Sequence, residues 1–171
     1  MSDSIMQRAA RRWRHGLRSH AAGRRAFPPA ALESIAQAIA EGERGHRGEL
    51  RLIVENAWPA EPLWAGASNR QRALALFAEH GVWDTEDNCG VLLYVNLADR
   101  KVDIVTDRAI QRTIPPAAWQ AICDTLTSAF ARGEYEAGTL AAIGQVNALL
   151  HQHFPADGAR ANELPDRPIV L

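Results

Sequence analysis

The chain has 171 residues, of which 19 are basic, 20 are acidic and two are cysteine, and 47% of its residues are hydrophobic. This length is enough to bury the core of one domain. Two cysteines are too few for a disulfide framework or a zinc cluster. No apolar run approaches the ~20 residues that a membrane-spanning helix needs, so the sequence predicts a protein without such a helix.

The near-neutral total charge conceals a strong asymmetry along the chain. Seven of the 18 arginines precede residue 26, where Asp3 is the only acidic residue, whereas residues 26–171 carry 12 basic against 19 acidic residues, a net charge of −7. We therefore expect a basic arm or helix over residues 1–26 and a domain over 27–154. Residues 155–171 contain three prolines and show no periodicity, which predicts an irregular tail.

Several functions are open to the basic arm. Such a segment can dock on the acidic domain or on an acidic partner, and it can contact the phosphates of a membrane surface or of nucleic acid. No apolar stretch follows the charges, as it would in a secretory signal, and the arm has too little serine to be typical of a transit peptide. We expect a cytoplasmic protein with no specific nucleic-acid binding. Peripheral membrane contact through the arm is one alternative, and a solvated or self-docked helix is another.

The first half of the domain predicts a helix, a strand and a second helix. Apolar residues after Pro28 and Pro29 follow helical spacing from Leu32 to Ala40. The run 49–55 is rich in Leu, Ile and Val and is typical of a strand. Ser68 and Gln71 have the spacing of a capping box ahead of the next helix, which Gly81 ends.

The second half contains the strongest signal in the sequence. Residues 91–95 form a continuous apolar run between Gly90 and Asn96, which predicts a strand buried on both faces. The short loop 96–100 favours an antiparallel return strand at 102–105. A helix is expected from Pro115 and Pro116 to Gly133, and a last helix follows.

This order of elements predicts an α/β protein. The strand-helix-strand unit from 49 to 95 should be parallel and right-handed. With the return strand it makes a small mixed β-sheet with helices on both faces, which is a three-layer α/β/α sandwich.

Acidic residues concentrate at one expected edge of this sheet. The hairpin should bring the loop before the second strand close to the end of the third strand, and the start of the first strand should approach the same edge. Carboxylate and amide oxygens are the ligands that Ca²⁺ prefers, and close carboxylates also raise one another's pKa. The alternative is a solvated loop, since Asp and Asn commonly make turns. The residues predicted to bind Ca²⁺ or another divalent cation are Asp84, Glu86, Asp87, Asn88 and Asp107.

Three segments of the domain carry recognisable motifs. They are the run Asn88-Cys89-Gly90-Val91-Leu92-Leu93-Tyr94-Val95, the segment Asp99-Arg100-Lys101-Val102, and the pattern Phe130-x-x-Gly133-x-Tyr135-x-x-Gly138. In this order they resemble the TPM domain, over roughly residues 30–153. It implies an α/β/α sandwich. The chain is most similar to the short bacterial branch without a signal peptide or membrane helix, whose genes often neighbour those of LemA-type membrane proteins.

The resemblance implies two classes of function. A plant thylakoid member is described as an acid phosphatase, and some members bind calcium. Members linked to such a site usually carry an acid before the first helix, whereas residues 24–29 here contain none. We therefore expect a non-catalytic accessory or binding domain that works with a LemA-type membrane-associated partner. The alternative is a metal-assisted phosphatase, in which Arg108 and Arg47 would hold the phosphate.

Overall fold

The strands pair into one mixed sheet with helices on both faces. The structure is a computed structural model that describes residues 25–59 and 66–171. The strands are β1 (Glu49–Glu55), β2 (Gly90–Asn96), β3 (Lys101–Thr106) and β4 (Ile169–Val170), in the sheet order β3-β2-β1-β4. The helices are α1 (Pro29–Glu43), α2 (Asn69–Glu79), α3 (Arg108–Thr113), α4 (Pro116–Ala131) and α5 (Tyr135–His153).

The strand pairing confirms the predicted topology. Strand β1 runs parallel to β2, with Glu49 opposite Gly90, and β3 returns antiparallel to β2, with Thr106 opposite Val91. All seven residues of β2 are buried, as the continuous apolar run predicted. The start of β1, the start of β2 and the end of β3 therefore lie at one edge of the sheet, which we call the amino-terminal edge.

Two apolar cores flank the sheet and confirm the three-layer α/β/α prediction. Alternate residues of β1 and β2, such as Leu52 and Leu93, pack against α1, α4 and α5. The intervening residues, such as Ile53 and Leu92, pack against Leu76 of α2 on the opposite face. The period-two alternation of side chains in a strand divides them between these cores.

The helix starts follow the local sequence signals. Helices α1 and α4 begin at Pro29 and Pro116, where the fixed φ of proline suits the first turn. The capping box of α2 is formed, because Ser68 Oγ accepts a hydrogen bond from the Gln71 N–H at 3.1 Å and Gln71 Oε1 accepts one from the Ser68 N–H at 2.7 Å. These caps fix where each helix begins.

The prediction of an irregular tail over residues 155–171 is wrong at its end. Ile169 and Val170 form β4, which pairs in parallel with Ile53 and Val54 of β1. Two residues are too few to show a periodic pattern, and the free edge of β1 supplies the pairing groups that order them. The short helix α3 at 108–113 also lacked a signal in the sequence.

Some expectations fall outside the described residues. Residues 1–24 are not described, so the basic arm over 1–26 and its boundary with the domain stay predictions. Phe27, the first residue of the expected domain, is buried and contacts Phe130 and Tyr135. Within residues 25–59 and 66–171, no helix combines the length and the hydropathy needed to cross a bilayer.

Close packing of α1 on α5 leads to a stability prediction. A Cβ built on Gly42 would lie 1.9 Å from Asn147 Nδ2, and Asn147 also holds His46 and the Ala38 carbonyl. Gly42→Ala should therefore displace Asn147 and lower the free energy of unfolding by about 1–3 kcal/mol. In Gly144→Ala the added Cβ would meet no atom within 4 Å. Because alanine favours the helix over glycine, this substitution should raise the free energy of unfolding by about 0.5–1 kcal/mol. Urea unfolding of both variants measures the contrast, and equal effects would contradict it.

Candidate functional site

Backbone hydrogen bonds bring three chain segments together at the amino-terminal edge. The Asp107 N–H donates to the Gly90 carbonyl at 2.9 Å, and the Glu49 N–H donates to the Cys89 carbonyl at 3.2 Å. The end of β3, the start of β1 and the loop before β2 therefore meet, as the hairpin prediction required.

The loop before β2 places three of the predicted cation ligands on the surface. The Asp84, Glu86 and Asn88 side chains are exposed. The Glu86 N–H donates to Glu163 Oε2 at 2.8 Å, which ties the loop to the C-terminal segment. Asn88 adopts a left-handed conformation with φ of 52°, which asparagine tolerates better than most residues.

Asp87 is held by two arginines. Its carboxylate forms ion pairs with Arg47, at 3.7 Å, and with Arg160 of the C-terminal segment. The Arg47 guanidinium also lies 5.9 Å from the centroid of the Phe154 ring. Arg47, predicted to hold phosphate, is thus engaged by a carboxylate of its own chain, and Arg160 joins a site in which the sequence did not place it.

Asp107 is buried and caps α3. Its Oδ1 accepts a hydrogen bond from the backbone N–H of Arg108 at 2.6 Å. Its Oδ2 is buried and has no hydrogen-bond partner within the described part of the chain. The Arg108 residue, the other predicted phosphate ligand, is exposed. Of the two Asp107 carboxylate oxygens, Oδ2 is therefore the one that a ligand could contact without displacing a hydrogen bond of the described residues.

The predicted cation ligands do not form a compact cluster. Among residues 25–59 and 66–171, no three His, Cys, Asp or Glu side chains are placed to hold one metal ion. A cation bound at Asp107 would therefore take most of its ligands from amide or backbone carbonyl oxygens and from water, which Ca²⁺ accepts.

Cys89 lies beside these acidic residues and is not activated. Burial, with smaller contributions from the nearby carboxylates of Asp87 and Asp107, raises the pKa of its thiol to about 11. Because the thiolate is the nucleophilic form, this environment opposes a nucleophilic role.

A cleft of about 540 Å³ adjoins this edge. It lies between the end of α1, the start of β1 and the C-terminal segment, and we call it the carboxylate cleft. Its ionisable lining residues are Glu43, Arg44, His46, Arg47, Glu49, Arg160 and Asp166. Acidic and basic side chains both line the cleft, so it offers a ligand hydrogen-bond donors as well as acceptors.

The Glu43 carboxyl stays protonated up to an unusually high pH. Burial, with smaller contributions from the neighbouring Glu49 and Asp166, raises the pKa of its carboxyl from 4.5 to about 9. A hydrogen bond at 2.7 Å from the Leu50 N–H opposes this shift. Glu43 is therefore neutral near pH 7 and can donate a hydrogen bond.

His46 and Glu49 complete the buried part of the cleft. The His46 ring is buried, and burial lowers its pKa, which favours the neutral imidazole. His46 Nε2 lies 3.1 Å from Asn147 Oδ1, and Nδ1 has no hydrogen-bond partner within the described residues. Burial also raises the pKa of Glu49, whose Oε2 accepts a hydrogen bond from the Leu164 N–H at 3.1 Å.

A second buried polar network lies at the opposite edge of the sheet. Glu55 accepts a hydrogen bond from the Tyr94 hydroxyl at 2.6 Å and pairs with the Arg72 guanidinium at 2.7 Å. The Trp58 indole N–H donates to the same hydroxyl at 2.8 Å. These contacts satisfy the buried Glu55 carboxylate, so we assign the network a structural role.

Sequence reasoning missed the residues that depend on distant contacts. It placed the start of β1 near the amino-terminal edge, but it did not identify Glu43, Asp166 or Arg160. One signal was present, since Glu43 precedes the β1 start by only a short turn. The two C-terminal residues gave no signal because they lie in a segment without periodicity.

Comparison with known proteins identifies the family. The model of the TPM domain family matches residues 24–149, most of the chain. The three-layer sandwich and this match together show that the chain belongs to the TPM domain family. No curated protein matches the chain.

Two solved structures share the fold. The NMR structure of the BA42 protein from the psychrophilic bacterium Bizionia argentinensis aligns with a TM-score of 0.74 at 22% identity, covering 84% of this chain and 94% of that chain. The solution NMR structure of the N-terminal domain of a P. gingivalis protein aligns with a TM-score of 0.52 at 20% identity, covering 77% and 83%. At these identities the comparison supports the fold.

The raised pKa of Glu43 predicts how stability depends on pH. The unfolded chain loses the Glu43 proton near pH 4.5 and the folded chain near pH 9, so this carboxyl makes stability fall as the pH rises through that window. Glu43→Gln, which mimics the neutral form, should raise the melting temperature at pH 8 and change it little at pH 4.5. Glu41→Gln, at an exposed position of α1, is the control. A lower melting temperature for Glu43→Gln at pH 8 would contradict the assignment.

Proposed function

We propose that this TPM domain is a non-catalytic binding module that docks on a membrane-associated partner through the turn before β2. The observation that carries the proposal is the exposure of Trp83, 54% of whose surface is accessible. The neighbouring Asp84 and Glu86 are also exposed. We call residues 83–86 the tryptophan turn.

The chemistry of the tryptophan turn favours a protein partner. Tryptophan is enriched among the residues that dominate binding energy at protein interfaces. The acidic residues around it favour a basic partner surface, because complementary charge speeds association and selects partners. The net charge of −7 over residues 26–171 also favours a basic partner surface.

The phosphatase alternative has less support from the geometry. Arg47, one of its two expected phosphate ligands, is paired with Asp87. Cys89 is buried and has a raised pKa, so it does not supply a nucleophile. These contacts favour binding over turnover.

Loss of the tryptophan anchor tests the proposed interface. Trp83→Ala should weaken binding to a co-expressed LemA-type membrane protein by about tenfold or more, as expected for truncation of a central interface residue. Leu74→Ala is the matched control, because it removes another exposed apolar side chain, 47% accessible, from α2. It should keep the wild-type affinity. Both are measured by titration with the purified, detergent-solubilised partner.

The outcome can exclude the interface in two ways. Equal loss in both variants would show a general dependence on exposed apolar surface rather than a defined tryptophan turn. Unchanged binding in Trp83→Ala would remove the turn from the interface altogether.

A divalent cation at Asp107 forms part of the proposal. The support is the Asp107 Oδ2, a buried carboxylate oxygen without a hydrogen-bond partner in the described part of the chain. A buried acceptor left unpaired destabilises a fold, and a bound cation would satisfy it. Asp87, which lies near the same Cys89 thiol, would contribute a second oxygen, and Asn88 an amide oxygen. Such an ion would order the loop that carries the tryptophan turn.

Calcium titration tests the ion separately from the partner. A ligand that binds only the folded state at about 100 times its Kd stabilises it by about 2.7 kcal/mol. Millimolar Ca²⁺ should therefore raise the melting temperature by several degrees. Asp107→Asn should abolish this shift while still capping α3, and Asp84→Asn, at an exposed position, should lose less of it. No shift in the wild type, or a full shift in Asp107→Asn, would contradict the site.

A further inference from the structure

A second groove runs along the outer edge of β3, away from the carboxylate cleft. Strand β3 is the last strand of the sheet on its side. The groove has a volume of about 490 Å³ and lies between β3, Arg70 of α2 and the start of α4. We call it the β3-edge groove. Its volume is in the range of small-molecule sites.

Apolar and polar side chains both line the groove, and the polar ones include Thr106, Gln111 and Gln120. Ile104, Ile114 and Cys123 line it and are buried. Trp119 also lines it and is only 8% exposed. The Trp119 indole N–H is buried and has no acceptor among the described residues. Since most buried donors in native proteins are paired, this N–H points to an acceptor that residues 25–59 and 66–171 do not supply.

The mouth of the groove carries the Arg70 guanidinium, whose hydrogen bond and ion pair within residues 25–59 and 66–171 involve NH1. The Arg70 side chain is 47% exposed, and its NH1 donates to the Ile104 carbonyl and lies 3.9 Å from Asp103 Oδ1. A guanidinium has five N–H donors in a planar fork. Arg70 can therefore keep these contacts and still bind an acceptor in the groove.

We propose that the β3-edge groove binds a small monocarboxylate with an apolar body. The carboxylate would accept hydrogen bonds from the Trp119 indole N–H and from Arg70. The apolar part would pack against Ile104, Ile114 and Cys123. The inference does not depend on the proposed partner or on the cation at Asp107.

The charges at the groove favour a monoanion. Asp103 also lines the mouth and already accepts a hydrogen bond from the Asn69 amide. Its negative charge balances part of the Arg70 charge, so a dianion such as phosphate would be opposed. Burial raises the pKa of the Cys123 thiol to about 11, which keeps this wall of the groove neutral and apolar.

The experiment uses phenylacetate as the probe and the indole N–H resonances as the readout. In the full chain labelled with ¹⁵N, about 20 mM phenylacetate should shift the Trp119 indole resonance in a saturable manner, as expected for a millimolar Kd. The Trp119→Phe spectrum assigns that resonance by its absence. The neutral analogue 2-phenylethanol should shift it much less, since it lacks the carboxylate.

Substitution of Arg70 decides the proposal even if Trp119→Phe fails to fold. Arg70→Gln should weaken phenylacetate binding about tenfold, because it removes the charged hydrogen bonds to the carboxylate. Arg132→Gln, at an exposed position that pairs with Glu134, should leave binding unchanged. An unshifted Trp119 resonance, an equal response to 2-phenylethanol, or full affinity in Arg70→Gln would each overturn the proposal.

Discussion

The burial of β2 on both faces is the constraint on which the rest of the structure depends. All seven residues of Gly90–Asn96 are buried, so both faces of the sheet must be covered by helices and both edges of the strand must be paired. Strands β1 and β3 supply the paired edges, and α2 covers one face while α1, α4 and α5 cover the other. Gly90 shows how tight this packing is, because a Cβ there would lie 1.8 Å from the Val82 carbonyl oxygen.

The pairing around β2 also creates the amino-terminal edge and its electrostatics. Acidic side chains from the loop before β2 and from the end of β3 lie at this edge, and Arg47 and Arg160 from two other segments pair with Asp87 there. The Asp107 Oδ2 is buried without a hydrogen-bond partner among the described residues, and Glu43 has a raised pKa. These two carboxyl groups mark where a ligand would change the local electrostatics most.

The two polar networks of the sheet differ in completeness. At the far edge, Glu55 is satisfied by Arg72 and Tyr94 together, which is the condition for a stable buried ion pair. Among the described residues, buried polar atoms of Asp107, His46 and Trp119 lack hydrogen-bond partners, and so does Asn56 Oδ1 beside Glu55. The Glu55 network maintains the fold, whereas we propose that Asp107 and Trp119 contact bound molecules.

The sequence alone determined the class of fold. The spacing of apolar residues, the prolines in the first turns of helices and the capping box each specify local structure over only a few residues. It also placed Asp107 beside the loop before β2. An antiparallel return strand brings the end of β3 next to the start of β2, independently of the side chains in the two strands. Only the tertiary structure decided that Arg160 pairs with Asp87, that Asp166 faces Glu43, and that Ile169 and Val170 extend the sheet. These contacts join residues up to about 120 positions apart in a segment without periodicity, and nothing local in that segment specifies which surface it will cover.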